Sequence, residues 1–280
     1  MFFIQLRNEL LKLFARKRTY IGFGAFVAVE AIILAILQSP KPKKAFTNLL
    51  TSNGYGFEEY YSGLTLGLLM ILGTVFLLGG LYLALVSGDM VAKEVEEGTM
   101  RMILSRPISR IRLLLIKWLA CAIYTFALIV FIGVTSLIAG VIYRKGLGGL
   151  FVFDSQDHLF AVFNTREGLW RFARGILFLS MTIQIVSTMG FMFSCFKMKP
   201  AAATILTLSI MFVDFVLHNM PYFVSFQKYF ITYHTHCWVR TFHPVIPWWG
   251  IVESILYLAA LNMTFWLIGA MGFCSRDFKG

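Results

Sequence analysis

Charged side chains concentrate at one place in this chain: Lys93-Glu94-Val95-Glu96-Glu97-Gly98-Thr99-Met100-Arg101-Met102-Ile103-Leu104-Ser105-Arg106-Pro107-Ile108-Ser109-Arg110. Carboxylates and arginines beside a glycine suit two kinds of chemistry. Carboxylates can activate water when a histidine stands near, and His234 is a distant partner for Glu96 and Glu97. The same charges can form a docking helix for another protein. Acidic residues near its start suit a helix N-terminus, and Gly98 permits close approach of another backbone. Pro107 and Ser109 make a turn, after which Arg110 and Arg112 anchor the next apolar run at the lipid headgroups.

Other ionisable groups lie inside apolar runs: Glu30, Asp214 and Glu253, with Gln184 and Lys117 of similar kind. A charge in lipid is costly, so such groups face a cavity or a partner. Glu30 and Asp214 are candidates for a polar translocation path, or equally for contacts between helices. Glu253 is near a run's end and reads as a snorkelling residue. His234-Thr235-His236-Cys237 would place two histidines on one side of an extended strand, a geometry that suits a transition metal. The spacing fits no zinc signature, so no metal site is expected. The four cysteines have neither redox nor metal spacing.

The elements that position these residues are apolar. Hydrophobic residues make up 58% of the 280 and charged residues only 14%, with a mean hydropathy of +0.75. That composition belongs to the membrane class. The net charge of +11 would suggest nucleic acid for a soluble protein. Here it reads as basic flanks that hold topology and face anionic lipid, and no nucleic-acid partner is expected. Six runs can cross a bilayer, which takes about 20 residues each: about Tyr20–Leu37, Gly63–Val86, Leu113–Ile142, Ile176–Phe196, Ala201–Leu217 and Trp249–Phe273. Before them, residues 1–19 form an amphipathic helix. Phe3, Leu6, Leu10, Leu13 and Phe14 make its stripe, and the helix lies in the membrane interface. No cleavable signal peptide is expected.

Lys and Arg are dense in the N-terminal segment, the 87–112 loop, Lys197–Lys199 and the C-terminal tail. That density places both termini and the 87–112 loop in the cytoplasm. About Gln38–Ser62, Tyr143–Gly175 and His218–Trp248 are then outer segments, the last rich in aromatics that suit the headgroup level.

The charged island resembles the first cytoplasmic loop of type-2 ABC permeases, the membrane subunits of many ABC exporters. There the pattern is roughly Glu-x-x-x-Gly-Thr, then leucines, then Pro-x-Ser-Arg, then a Lys opening the next span. Glu94, Gly98, Thr99, Leu104, Pro107, Ser109, Arg110 and Lys117 fit it. Cys274-Ser275-Arg276-Asp277-Phe278 is similar to the short tail of the same permeases. The resemblance implies an all-α membrane protein. It would have six transmembrane helices, an N-terminal interfacial helix and a cytoplasmic coupling helix, in one permease domain over 1–280. It implies ATPase coupling through Glu94, Glu97, Gly98, Thr99, Pro107, Ser109 and Arg110. It further implies a homodimer or a pairing with a similar permease, and short re-entrant helices in the 218–248 outer loop. A bacterial inner membrane is the implied location.

No Gly-x-x-x-x-Gly-Lys-Ser/Thr occurs, so ATP belongs to a separate P-loop ATPase subunit. No cofactor is expected on this chain. One alternative remains. Glu96-Glu97-x-x-x-Arg101 with Phe230-x-x-x-His234 resembles two motifs of the CAAX-type intramembrane protease family. That would make Glu96, Glu97 and His234 a metalloprotease site.

Overall fold

The computed structural model describes residues 2–104, 108–154 and 159–276. The chain opens with α1 (Phe2–Ala15) and α2 (Lys17–Leu37), separated at Arg16, whose backbone is extended. Two short helices follow, α3 (Pro40–Ser52) and α4 (Phe57–Tyr60). Then α5 (Gly63–Thr74) continues through a π-helical turn, Val75–Gly79, into α6 (Gly80–Glu96). After α7 (Thr99–Leu104) comes α8 (Arg110–Arg144), which ends on Lys145 in the left-handed conformation. A hairpin, β1 (Leu150–Asp154) and β2 (Leu159–Phe163), leads into α9 (Thr165–Cys195) and α10 (Pro200–Asn219). A 3-10 turn (Pro221–Tyr229), α11 (Ile231–Thr235) and a second 3-10 turn (His236–Phe242) precede α12 (Trp248–Cys274).

Among the described residues six helices are long and apolar enough to cross a membrane: α2, the continuous Gly63–Glu96 helix, α8, α9, α10 and α12. These are the six runs read from sequence, extended at their ends. The Gly63–Glu96 helix has 34 residues and α8 has 35. At 1.5 Å per residue each is roughly 50 Å long, well beyond a hydrocarbon core of about 30 Å. Their polar ends, with Asp89, Lys93 and Glu94 on one and Arg110 and Arg112 on the other, therefore project past the apolar belt.

The bundle is built around α9, which packs against α6, α8, α10 and α12. Small residues set the closest approaches, as expected where lipid gives helices no hydrophobic reason to associate. Gly63 and Gly67 of α5 face α8, and a Cβ on Gly140 would strike the Gly63 carbonyl oxygen. A Cβ on Gly63 would stand 2.6 Å from the Gly146 carbonyl. Some polar side chains between helices are paired. Tyr82 and Tyr124 share a hydrogen bond of 3.0 Å, and Thr125 meets Ser187 at 2.6 Å.

α1 packs along α8. Leu6, Leu10, Leu13 and Phe14 of its stripe turn into the core, whereas Phe3 is exposed. The stripe is thus largely a protein contact, and Phe3, Ile4 and Leu11 form the outward apolar side.

The hairpin departs from an otherwise helical architecture. Its strands pair antiparallel from Leu150↔Phe163 to Asp154↔Leu159. It is pinned to the start of α5: Thr65 Oγ1 accepts the Phe151 N–H at 2.9 Å, and the Ser62 hydroxyl donates to the Gly149 carbonyl. Leu-Phe-Val-Phe-Asp and Leu-Phe-Ala-Val-Phe are rich in β-formers on either side of a polar stretch of sequence, so the signal was present in the sequence.

Replacing Gly140 by leucine will drive a side chain into the α5 backbone. Overpacking of this kind costs about 1–3 kcal/mol or more. Thermal unfolding of the solubilised protein should show a clear loss for Gly140→Leu. Gly80→Ala, where nothing lies within 4 Å of the added carbon, should leave it almost unchanged.

Candidate functional site

The charged island starts as the last turns of α6. Glu97 donates its N–H to the Lys93 carbonyl at 2.9 Å, and Gly98 donates to Val95 at 3.1 Å. Gly98 has φ +75°, a left-handed helix-terminating conformation that carries little strain in glycine. The Thr99 hydroxyl then donates to the Glu94 carbonyl at 3.1 Å. Gly98 and Thr99 thus end α6 and turn the chain into α7. Among the described residues, apart from its neighbours in sequence, nothing lies within 4 Å of where a Gly98 Cβ would stand. Within the chain the glycine serves conformation.

The acids are also placed differently from that expectation. Glu94 and Glu96 lie at the C-terminal end of α6, and α7 has no acidic residue in its first turn. An acid at a helix C-terminus opposes the dipole, so each needs another reason. Glu97 lies 3.8 Å from Lys93. Glu94 lies in a buried ion cluster.

That cluster joins three helices. Lys117 of α8 is fully buried, and its Nζ lies 2.8 Å from Glu94 Oε1 of α6 and 2.9 Å from Glu9 Oε2 of α1. Lys12 of α1 binds Glu9 Oε1 at 2.8 Å and stands 3.8 Å from Glu94 Oε1. The Glu94 side chain is 8% exposed and that of Glu9 12%. Glu94 Oε2 is buried and has no hydrogen-bond partner. Two acids and two bases balance, but removing one member of such a buried set costs about 3–5 kcal/mol, because a charge is left unpaired. Farther out, Arg18 at the start of α2 binds Asp89 at 2.8 Å.

A cleft of about 570 Å³ opens beside the cluster. Gln5, Asn8 and Lys12 form its α1 wall, Thr99 and Met102 its α7 wall, and Leu113 part of its α8 floor. Met102 is 67% exposed. Ser109 precedes α8 with extended backbone and accepts the Leu113 N–H at 3.1 Å through its carbonyl. Pro107 lies outside the described residues.

Arg110 points back to protein. Its Nη1 donates to the carbonyls of Cys274 and Arg276, each at 2.9 Å. Arg276 donates to Cys195 and Phe196 carbonyls, each at 3.1 Å. The two guanidiniums therefore satisfy carbonyls at the ends of α12 and α9, which have no partner within their own helices.

The other candidates are dispersed. Glu30 is buried and accepts from Thr135 and Ser136 of α8, each at 2.9 Å. Asp214 of α10 accepts the Ile231 N–H at 3.0 Å and the Thr232 N–H and hydroxyl at 2.7 Å, so it caps α11. Glu253 is exposed. His234 and His236 lie in α11 and the following 3-10 turn, not on an extended strand. His234 Nε2 meets the Lys228 carbonyl at 2.8 Å, and its ring stacks on Tyr257 with centroids 4.0 Å apart. No group of three metal-ligating side chains occurs among the described residues.

The protease reading fails on distance. Gly88 of α6 packs at the start of α10, near Pro200 and Thr204, and α6 carries Glu96 and Glu97 onward from there. His234 follows the opposite end of α10, a 20-residue helix and hence about 30 Å long. The carboxylates and the histidine are held at opposite ends of the bundle.

Sequence reasoning missed Glu9 and Arg171. Glu9 shares a helix face with Leu6 and Leu13, and an acid on an apolar stripe signals a buried partner. Arg171 of α9 is buried at the hairpin end. It binds Glu167, donates to the Thr241, His243 and Pro244 carbonyls, and lies 4.0 Å from the Phe163 ring centroid.

The sequence pattern of the ABC-2 family transporter proteins matches residues 8–259. The chain belongs to that family, and the six-helix bundle is the membrane permease of an ABC transporter. It is also 24% identical to Uncharacterized protein YhcI of Bacillus subtilis (strain 168), across 67% of this chain and 70% of the relative.

Burial by itself would raise the Glu9 carboxyl, but Lys117 and Lys12 outweigh it and hold Glu9 below the usual 4.5. Burial would lower Lys12, but Glu9 and then Glu94 hold it above the usual 10.5. A carboxyl held low contributes stability above its unfolded value and loses it as pH falls through the folded one. A lysine held high contributes below its unfolded value and loses it as pH rises through the folded one. Docking of α1 should therefore be level between about pH 5 and pH 10 and weaken below about pH 4.5. A fluorophore on Asn8→Cys should report release in acid, and Glu9→Gln should weaken docking at neutral pH and flatten the acid transition.

Proposed function

We propose that this permease is the membrane subunit of an ATP-driven exporter powered by a separate P-loop ATPase chain. It works as a homodimer or beside a similar permease, with lipid around its spans. Both termini and the 87–112 segment face the cytoplasm of a bacterial cell and the hairpin faces outward. ATP is bound by the partner. The observation that carries this reading is the corner at Gly98. It turns the chain into α7, which buries Met100 in the core and leaves Met102 exposed, while Glu94 just before it is tied to α1 and α8 by a buried ion cluster. A surface loop with so firm an internal anchor suits an element that receives force. The absence of a phosphate-binding loop in the chain supports a separate ATPase.

In this reading Glu97, Gly98 and Thr99 form the start of the docking surface, and Ser109 and Arg110 fix its return to α8. Closure of the ATPase subunits moves α7, and the spans answer between inward-open and outward-open arrangements. Such coupling requires contacts that differ between the two states. Asp214 acts by holding α11 across the outer end. Glu30 acts through the packing of α2 on α8.

Gly98→Trp should reduce pull-down of the ATPase subunit and lower ATP hydrolysis by the complex at least several-fold. The left-handed backbone disfavours a side chain, and the ring would occupy the docking surface. Insertion in the membrane should persist. Unchanged pull-down and hydrolysis would reduce the loop to a spacer. For orientation, Ser109→Cys in intact cells should resist a membrane-impermeant thiol reagent and react after permeabilisation. Labelling from outside would invert the topology.

A further inference from the structure

Four charges at the first-loop end do more than neutralise one another. Lys117 spends its contacts on two helices, Glu9 of α1 and Glu94 of α6. Lys12 is bonded to Glu9 at 2.8 Å but only within charge-pair reach of Glu94, at 3.8 Å. Glu94 has one oxygen filled by Lys117 and the other, Oε2, buried with no partner. The set thus contains a cation near a carboxylate that has an unused acceptor. The adjoining cleft of about 570 Å³ lies between α1 and α7 and gives those elements room to move against each other. An unfilled buried acceptor is costly, so filling Oε2 offsets part of what is lost when the Lys12–Glu9 and Lys117–Glu94 contacts are given up.

We propose that Glu9, Lys12, Glu94 and Lys117 form a two-position latch, in which Lys117 is the positioning residue and Lys12 the alternate partner of Glu94. In the present position Lys117 holds Glu94, so the end of α6 and the α7 corner are fastened to α8. In the second position Lys12 leaves Glu9 for Glu94 Oε2, and Lys117 keeps Glu9. Every acid still has a base, but α6 and α7 are now fastened to α1 instead of α8. No charge is left bare in either position, which keeps the two within reach of a modest force. The neighbouring charges stay outside the exchange: Lys93 is near Glu97, and Arg18 is bonded to Asp89. Arg16 lies at the cleft rim. As a coupling device, the latch rests on the reading of the 97–109 loop as the ATPase contact.

Spin labels on Asn8→Cys and Met102→Cys, in a Cys274→Ser chain, span the cleft from α1 to α7. Pulsed electron–electron resonance on the purified full chain should give one dominant distance. Lys117→Met should move most of the distribution to a second, shorter distance, because Glu94 then has only Lys12. Lys117→Arg should restore the first. Adding Lys12→Met to Lys117→Met should abolish the shorter distance. Lys117→Gln is read in the same way should the methionine variant fail to fold. A Lys117→Met or Lys117→Gln distribution that superimposes on the starting one, or a short distance that survives loss of Lys12, overturns the latch. With the ATPase subunit and vanadate-trapped nucleotide, the unsubstituted latch should populate the short distance. A complex that forms but fails to do so overturns the coupling role even where the variants behave as stated. A chain that binds no ATPase overturns the proposed function and leaves the variant result standing.

Discussion

An ammonium group removed from water must be met by acids, and the pairing of Lys117 governs the first-loop end of this permease. The residual penalty for an unpaired buried ion is several kcal/mol. α8 cannot supply the partner, because from Leu113 to Ile142 it contains neither Asp nor Glu. The acids come from elsewhere: Glu94 from an extension of α6 beyond the apolar belt, and Glu9 from a helix laid along α8. The route of α1 and the overhang of α6 both follow from that one requirement. The fastening also lies where the Gly98 corner begins. α7 packs Met100 into the apolar core, so the corner is held both by that contact and by the ion pair just before it.

A second constraint shapes the rest. Helix ends near a membrane leave carbonyls and N–H groups that lipid cannot satisfy. Arginines do this work at both ends of the bundle. Arg110 and Arg276 draw the ends of α8, α9 and α12 together by binding carbonyls. Arg171 gathers the 241–244 carbonyls at the hairpin end. Asp214 plays the complementary part, accepting from the N–H groups that open α11. These contacts satisfy backbone groups where the short helical pieces join the bundle.

The six spans were legible because hydrophobic length is a local property. Gly98 and Thr99 were legible as a motif, but the reason for the glycine was not: φ +75° depends on how α6 ends. Glu94 and Lys117 were both singled out, yet their contact was not readable, since it needs the register of two helices. Glu9 is 108 residues from Lys117 in sequence, and only the packing of α1 on α8 brings them together. Asp214 had two equal readings, a polar path or a contact between helices. Its carboxylate caps α11, a segment too short for periodicity to reveal. The β-hairpin had two short runs rich in β-forming residues, which were overlooked in favour of the dominant helical pattern.

The central claim is that the Glu94–Lys117 contact links the α7 corner to the spans. A double-mutant cycle tests it most directly, with ATP hydrolysis by the permease–ATPase complex as the readout, taken relative to the ATPase alone. Glu94→Gln, Lys117→Met and the double variant would be compared at equal complex formation. The account predicts strong non-additivity: each single variant loses most of the coupling, and the double variant is no worse than Lys117→Met, because both act on one contact. Losses that simply add would show that the two residues act separately, and the account would be wrong.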